Sequence, residues 1–258
     1  MKVSLMMLII SHLLADFFFQ SNSLVEKKSN NIKYLLIHAV IYLVLILLPC
    51  MLYGKAFQII SICVVVGITH FIVDLLKIKT CKNFKTDKAS FWIFIVDQLI
   101  HFGVLFIASF FLTDFNIIGN FFIEQYSFAE AIIGIDFQRF LLHCAIFLIM
   151  FSPSGVFIKL FLMSLPKEKA QTDKPNESKD LKIEKSTIQA GSVIGYLERV
   201  IILVLGLLGQ YASIGLVLTA KSIARYNRIS NEPDFAERYL VGTLLSLFIA
   251  IIGLIILK

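Results

Sequence analysis

Long apolar runs separated by short charged stretches make up most of this chain. They cover approximately residues 3–19, 34–53, 56–76, 90–113, 140–163, 200–218 and 239–257. A helix needs about 20 apolar residues to cross the hydrocarbon core of a bilayer, and each run reaches or approaches that length. The runs do not alternate apolar and polar positions, as the strands of a membrane barrel do. The pattern therefore predicts an all-α, polytopic helical membrane protein with about seven apolar segments, six or seven of them spans.

Composition agrees with a membrane protein. Of the 258 residues, 58% are hydrophobic and only 16% are charged, whereas soluble domains contain about 25% charged residues. A soluble globular protein is therefore excluded. The four cysteines show no C-x-x-C spacing, so neither a disulfide framework nor a thiolate zinc site is indicated.

Lysines in the short loops predict the orientation in a cell membrane. Residues 77–88 contain five lysines and a single aspartate, and short loops rich in Lys or Arg stay in the cytoplasm. The stretch around Lys27 and Lys28 is then also cytoplasmic, while the N-terminus and the acidic loop over 114–136 lie outside. The net charge of +6 is concentrated near the membrane, which favours anionic lipids of the cytoplasmic side over nucleic acid as partners.

Changes in composition divide the chain into four parts. Residues 1–125 are expected to form a four-helix membrane domain, and 126–163 an amphipathic connector with a fifth span. Residues 164–192 are expected to form a disordered cytoplasmic linker, because Lys there alternates with Asp and Glu and 166–186 contain no aromatic residue. Residues 193–258 are expected to form a C-terminal membrane hairpin.

The run 200–218 allows two topologies. Its length favours one complete span, which places the following cations outside. Gly206 and Gly209 would instead permit a re-entrant turn, which returns Lys221 and Arg225 to the cytoplasmic side. These two cations, spaced i, i+4, are candidate ligands for an anionic headgroup or phosphate. The alternative is that they only anchor helix ends at the interface.

Ionisable side chains interrupt the first four apolar runs in a repeated pattern. Three helices each carry a His and an Asp four residues apart, which places both on one helix face, and a fourth helix adds a single His. The lysine-rich loops place all of them in the cytoplasmic half of the bundle. Ionisable groups inside a membrane are costly and indicate function by default. The seven residues are His12, Asp16, His38, His70, Asp74, Asp97 and His101.

These residue types favour a metal site. Neutral imidazole and ionised carboxylate are good ligands for Zn²⁺, Mn²⁺ and Fe²⁺, so all seven residues are candidate ligands of a divalent transition metal. Asp97 is also a candidate catalytic base. A protonatable relay and a hydrogen-bonded cluster that only fixes helix packing stay open as alternatives. His143 lies outside this layer and is interpreted as structural.

Three segments of the sequence resemble the domain of unknown function 3307 family. The resemblance covers about the first 125 residues and implies a bacterial integral membrane protein, without implying a reaction. A weaker similarity to membrane-bound metal-dependent hydrolases is only an analogy, because their His-rich motifs are absent. The segments that carry the family resemblance are His12-Leu-Leu-Ala-Asp16-Phe-Phe-Phe-Gln20, Thr69-His70-Phe-Ile-Val-Asp74-Leu-Leu-Lys77 and Asp97-Gln98-Leu-Ile-His101.

Three functions fit these observations. The first is a metal-dependent hydrolase that acts within the membrane on a lipid or another amphipathic substrate. The second is a cation- or proton-coupled transporter, although transporters generally show internal repeats and interrupted helices. The third is a non-catalytic membrane scaffold or sensor in which the seven residues fix helix packing. The hydrolase is the preferred hypothesis.

Overall fold

The computed structural model describes residues 2–166 and 180–258, in which all regular elements are helices. The chain forms two compact units, Met1–Leu148 and Ile149–Lys258. Five described helical segments are long and apolar enough to cross a membrane, and the bent first pair of helices would make a sixth. The expectation of an all-α, multi-pass membrane protein is confirmed, with five or six spans in place of six or seven. The five segments are Ile32–Cys50, Phe57–Asn83, Asp87–Ser109, Phe137–Ser164 and Pro233–Leu257.

The first unit contains seven helices in its described residues, of which five lie on predicted apolar runs and two, Asn22–Asn30 and Ile117–Ile133, do not. Its first helix continues beyond α1 as a short π-helical turn, Leu14–Phe18. The last helix ends just inside the second unit. The helices are α1 (Val3–Leu13), α2 (Asn22–Asn30), α3 (Ile32–Cys50), α4 (Ala56–Asn83), α5 (Asp87–Ser109), α6 (Ile117–Ile133) and α7 (Phe137–Met150).

The short helix α2 turns sharply away from the helix before it. The two helices are bent by 86°, and Ser21 begins α2 by accepting a hydrogen bond from the Leu24 N–H at 3.2 Å. Such a cap satisfies one of the free N–H groups of a helix start. α2 carries few apolar residues and packs on α3. It thereby places one polar side chain, Lys28, against the bundle.

An apolar core fills one half of the first unit. It includes Tyr42, Ile46, Val66 and Leu105, which are almost completely buried. The polar side chains described below lie beside this core. Those of α4 and α5 are on the parts of these helices that run towards their short connection, and the others are on the first helix and α3. The long helices therefore separate an apolar half from a half that contains the charged residues.

The second unit contains five helices in its described residues, and two of them form a hairpin that corrects one expectation. The continuous span expected over 200–218 is wrong. α9 ends at Leu207, Gly209 adopts φ +72°, a left-handed conformation that glycine adopts at little cost, and the next helix starts at Tyr211. The returning helix brings Lys221 beside Glu198. The helices are α8 (Ser152–Ser164), α9 (Asp180–Leu207), α10 (Tyr211–Ala224) and α12 (Pro233–Leu257), with a short α11 (Tyr226–Asn231).

Residues 167–179 of the linker expected over 164–192 lie outside the described residues. Helix α9 already begins at Asp180, within the range that the sequence assigned to the linker.

Candidate functional site

The structure brings the seven His and Asp residues of the sequence pattern into one cluster, hereafter the His/Asp cluster. Four adjacent helical segments supply them: α1 with its π-helical turn, α3, α4 and α5. Six of the residues have 3% or less of their surface exposed, and the Asp16 side chain has 8%. The aromatic ring of Tyr42 stacks on the His70 imidazole, with 3.5 Å between the ring centroids. The cluster is therefore shielded from solvent.

Two histidines and two aspartates form the centre of the cluster. The Nε2 atoms of His38 and His70 lie 3.2 Å apart. Asp16 Oδ1 is 3.3 Å from the His38 Nε2 and 3.6 Å from the His70 Nε2. Asp74 Oδ2 lies 3.5 Å and 3.9 Å from the same two nitrogens. Four ligand-type atoms thus surround one small volume.

Five of the seven residues form two groups that could hold a metal ion. In each group, one nitrogen or oxygen ligand atom from every residue lies within 4.8 Å of the others. The groups share His70, and Asp16 can face both, because its Oδ1 lies near His38 and its Oδ2 lies 4.0 Å from the His12 Nε2. The groups are His12, Asp16 and His70, and His38, His70 and Asp74.

The π-helical turn of the first helix presents Asp16 to the cluster. Within this turn the Phe19 N–H donates to the Leu14 carbonyl oxygen at 2.8 Å, which is a bond between residues five apart. Such turns are rare and often occur at functional sites. With its amide turned to satisfy both neighbours, Gln20 donates to the Asp16 carbonyl oxygen at 3.1 Å and accepts from Lys28 Nζ at 2.5 Å. The backbone around Asp16 is therefore held in place by a side chain.

Lys28 is a site residue that the sequence reasoning missed. It extends from α2 and is 8% exposed, and its Nζ donates to Asp74 Oδ2 at 2.7 Å. From the sequence alone Lys28 cannot be told apart from the other loop lysines, because its partner Asp74 is 46 residues away. The polar composition of residues 22–30 was the available signal, since a short polar helix beside charged spans can cover them.

The remaining two members of the cluster, Asp97 and His101, lie outside the two metal-holding groups. Asp97 Oδ2 accepts from Lys77 Nζ at 2.6 Å and from the Gln98 amide at 3.0 Å. The His101 Nδ1 donates to the Asp97 carbonyl oxygen at 2.8 Å, which leaves its buried Nε2 without a partner among the described residues. Gln98 also contacts His12, with 3.4 Å between the amide oxygen and Nε2, and so connects the two parts of the cluster.

The cluster contains more negative than positive charge. Its three carboxylates face two lysines, Lys28 and Lys77. With neutral histidines, one negative charge stays uncompensated in a buried environment, where an unpaired charge is costly. Asp16 is the carboxylate whose ion-pair partners in the structure are histidines alone. The cluster can therefore accept a metal ion or a proton, and either would supply the missing positive charge.

His143 and the C-terminal cations have other surroundings. The His143 Nδ1 donates to the Arg139 carbonyl oxygen at 2.7 Å on α7. In the second unit Lys221 Nζ lies 2.5 Å from Glu198 Oε2, and both Lys221 and Arg225 lie over the Tyr239 ring. Glu198 therefore balances the charge of Lys221, one of the two residues of the expected anion site.

Buried Arg199 is a second residue whose role the sequence did not reveal. It is 2% exposed and donates to the carbonyl oxygens of Met150 and Phe151 at 2.8 and 3.1 Å. These carbonyls lie where α7 ends and α8 begins, and helix ends leave such groups without intrahelical partners. Arg199 thus stabilises a helix break.

Comparison with family models finds a similarity in the first part of the chain. Residues 4–129 match the family model described as Protein of unknown function (DUF3307), and the match begins in α1 and extends into α6. No curated protein and no solved structure matches the chain. All seven residues of the His/Asp cluster fall within the matched range.

Proposed function

We propose that residues 4–129, the part of the chain that matches the DUF3307 family model, bind a divalent transition metal and hydrolyse a membrane amphiphile with it. The observation that carries the proposal is the convergence of four buried ligand atoms, two imidazole nitrogens and two carboxylate oxygens, on one point. Lipids and other amphiphiles are the expected substrates because the site lies among helices that can cross a membrane.

The distances between these atoms fit a small coordination shell. Five of the distances among the Nε2 atoms of His38 and His70, Asp16 Oδ1 and Asp74 Oδ2 lie between 3.2 and 3.9 Å. In a tetrahedral site with bonds of about 2.0–2.2 Å, ligand atoms are separated by about 3.3–3.6 Å. Small side-chain movements would therefore complete a site for Zn²⁺, Mn²⁺ or Fe²⁺.

The other members of the cluster support a hydrolytic role. A bound divalent metal lowers the pKa of a water ligand to about 7 and so supplies a nucleophile at neutral pH. His12 faces the second oxygen of Asp16 and can orient such a water or a second ion. Asp97 is the candidate base, and Lys77, at 2.6 Å, holds its carboxylate in place.

Metal analysis of the purified protein tests the proposal. We expect protein purified in detergent without chelators to retain close to one equivalent of transition metal by mass spectrometry. Asp16→Ala and His70→Ala should lose most of it, because His70 belongs to both groups and the two Asp16 oxygens face His12 and His38. His143→Ala is the matched control and should keep it. Equal metal content in all four proteins would contradict the proposal.

A hydrolytic assay then tests the reaction. Metal-depleted protein should be inactive against a panel of lipid carboxylic and phosphoric esters, and adding back Zn²⁺, Mn²⁺ or Fe²⁺ should restore activity towards one ester class. Asp97→Asn should retain metal and lose activity. Retention of activity after metal removal would disprove a metal-dependent hydrolase.

A proton relay is the second candidate, and one observation favours it. The Nε2 atoms of His38 and His70 are within hydrogen-bond distance of each other, which requires a proton on one of them. One further proton would balance the cluster without any metal. Protein in liposomes should then conduct protons down a pH gradient, and Asp16→Asn should stop this flux while His143→Ala should not.

A further inference from the structure

An open groove runs between α4 and α5 in the first unit. It encloses about 280 Å³, close to the lower end of the about 300–1,000 Å³ found for small-molecule sites. Apolar side chains form most of its walls, among them Val73, Ile93 and Val96, and Trp92 lines it near the α4–α5 connection. These walls suit an alkyl chain.

Two charged side chains interrupt the apolar lining. Lys77 and Asp97 both face the groove, and they contact each other at 2.6 Å. Asp97 Oδ1 is buried without a hydrogen-bond partner among the described residues and lies 3.7 Å from His101 Nδ1, so it belongs to the cluster and is not open to the groove. The Lys77 side chain is 28% exposed, and its ammonium group has three protons, of which the bond to Asp97 uses one.

We propose that this groove binds a long-chain alcohol, with the chain along the apolar walls and the hydroxyl at the Lys77–Asp97 pair. The hydroxyl oxygen can accept from a Lys77 Nζ proton that the bond to Asp97 does not use. A carboxylate or phosphate would be attracted by Lys77 but repelled by Asp97, and an ammonium would meet the reverse. Because the pair is neutral overall, a neutral polar group fits it best.

This inference goes beyond the proposed function. The groove uses none of the four atoms that form the centre of the His/Asp cluster, so alcohol binding needs no metal. Asp97 belongs both to the groove and to the cluster. An alcohol bound there would lie beside the candidate metal centre.

The chain provides its own reporter for this site. Trp92 is the single tryptophan of the protein, and bromine atoms quench tryptophan fluorescence on contact. Purified protein is titrated with a brominated long-chain alcohol, and in parallel with a brominated fatty acid and a brominated primary amine of equal length. We expect saturable quenching by the alcohol at a concentration roughly tenfold lower than for the other two, as one hydrogen bond to a charged group implies.

Variants locate the quenching. Val96→Phe fills the groove and should abolish saturable quenching. Ile107→Phe is the matched control and should leave it unchanged, because Ile107 is also exposed on α5 but does not line the groove. The double variant Lys77→Met with Asp97→Leu keeps the groove neutral and apolar, which avoids an unpaired buried charge. In this double variant the three probes should quench Trp92 at equal concentrations.

Two results would overturn the inference: equal quenching by the three probes in the wild-type protein, or quenching that rises linearly without saturation. Either would mean that bulk lipid fills the groove without selection. Asp16→Ala separates the two proposals, because it should lose metal but keep the alcohol response. Wild-type protein without metal but with saturable quenching would disprove the proposed function alone.

Discussion

The two units both bury charged side chains between apolar helices, but they differ in how these charges are satisfied. In the second unit, Arg199 donates to two backbone carbonyls at a helix break, and Lys221 pairs with Glu198. In the His/Asp cluster, three carboxylates face two lysines and four histidines. Eight buried side-chain atoms of the described residues have no hydrogen-bond partner, and six of these belong to the cluster.

This difference separates structural from functional burial of charge. A buried cation that stabilises backbone carbonyls completes the fold and leaves little capacity for a ligand. A buried group of ligand atoms with an uncompensated negative charge lowers stability until something binds to it. The first unit therefore contains the stronger candidate site.

Replacing the structural cation should have the largest effect on stability. Arg199→Met removes the charged donor to the Met150 and Phe151 carbonyl oxygens, which the Ser154 hydroxyl also contacts at 3.1 and 3.3 Å. We expect a loss of about 2–4 kcal/mol in the free energy of unfolding, because hydrogen bonds to charged groups contribute about 1.5–3 kcal/mol each. Thermal unfolding in detergent measures it. Arg228→Met, which removes an exposed pair with Glu232, should change stability by less than about 1 kcal/mol. If the two variants were equally stable, Arg199 would have no structural role.

Adding a metal ion should stabilise the first unit by somewhat less than the largest loss expected for Arg199→Met. Zn²⁺ or Mn²⁺ at a hundred times its Kd should raise the free energy of unfolding by about 2.7 kcal/mol. The same addition should have no effect on Asp16→Ala, and a chelator should reverse it in the wild-type protein. An identical response of Asp16→Ala would place the bound metal elsewhere.

Removing the Lys28 side chain should change the affinity of the His/Asp cluster for a metal ion. Lys28 Nζ occupies Asp74 Oδ2 at 2.7 Å, the oxygen that a metal would need. Lys28→Met should therefore tighten metal binding about tenfold, or about 1.4 kcal/mol, in calorimetric titrations. Lys27→Met on the same helix is the control and should not change the affinity. A weaker metal affinity in Lys28→Met would mean that the lysine positions Asp74 and does not compete for it.

The smallest expected effect tests the hairpin of the second unit: the result depends on whether Gly209→Ala lowers or raises the free energy of unfolding. Gly209 has φ +72° and no atoms within 4 Å of an added Cβ, so Gly209→Ala introduces only conformational strain. We expect a loss of about 1 kcal/mol. If residues 200–218 formed one continuous helix, the same substitution would stabilise the protein by about 0.5–1 kcal/mol, so a stabilised variant contradicts the hairpin. Gly215→Ala, within α10 and also with free space at its Cβ, should be stabilising.

The sequence predicted the long helices and the seven members of the cluster, because helical periodicity and the cost of ionisable groups in a membrane are local properties. It did not predict Lys28, whose contact depends on the 86° bend before α2. It also favoured a complete span over 200–218, because composition and length do not reveal the φ angle of a single glycine. The cytoplasmic location of the 77–88 loop stays a prediction.

The π-helical turn over Leu14–Phe18 makes the first helix sensitive to its own length. Such a turn accommodates one residue more than an α-helical turn. Deleting one residue from 14–18 would let the Phe19 N–H and the Leu14 carbonyl form an ordinary α-helical bond between residues four apart. The helix on either side would then keep its phase, but the wider turn that presents Asp16 would be lost. The extra residue in this turn therefore sets where the Asp16 carboxylate lies relative to His12 without changing the direction of the chain that leads to Lys28.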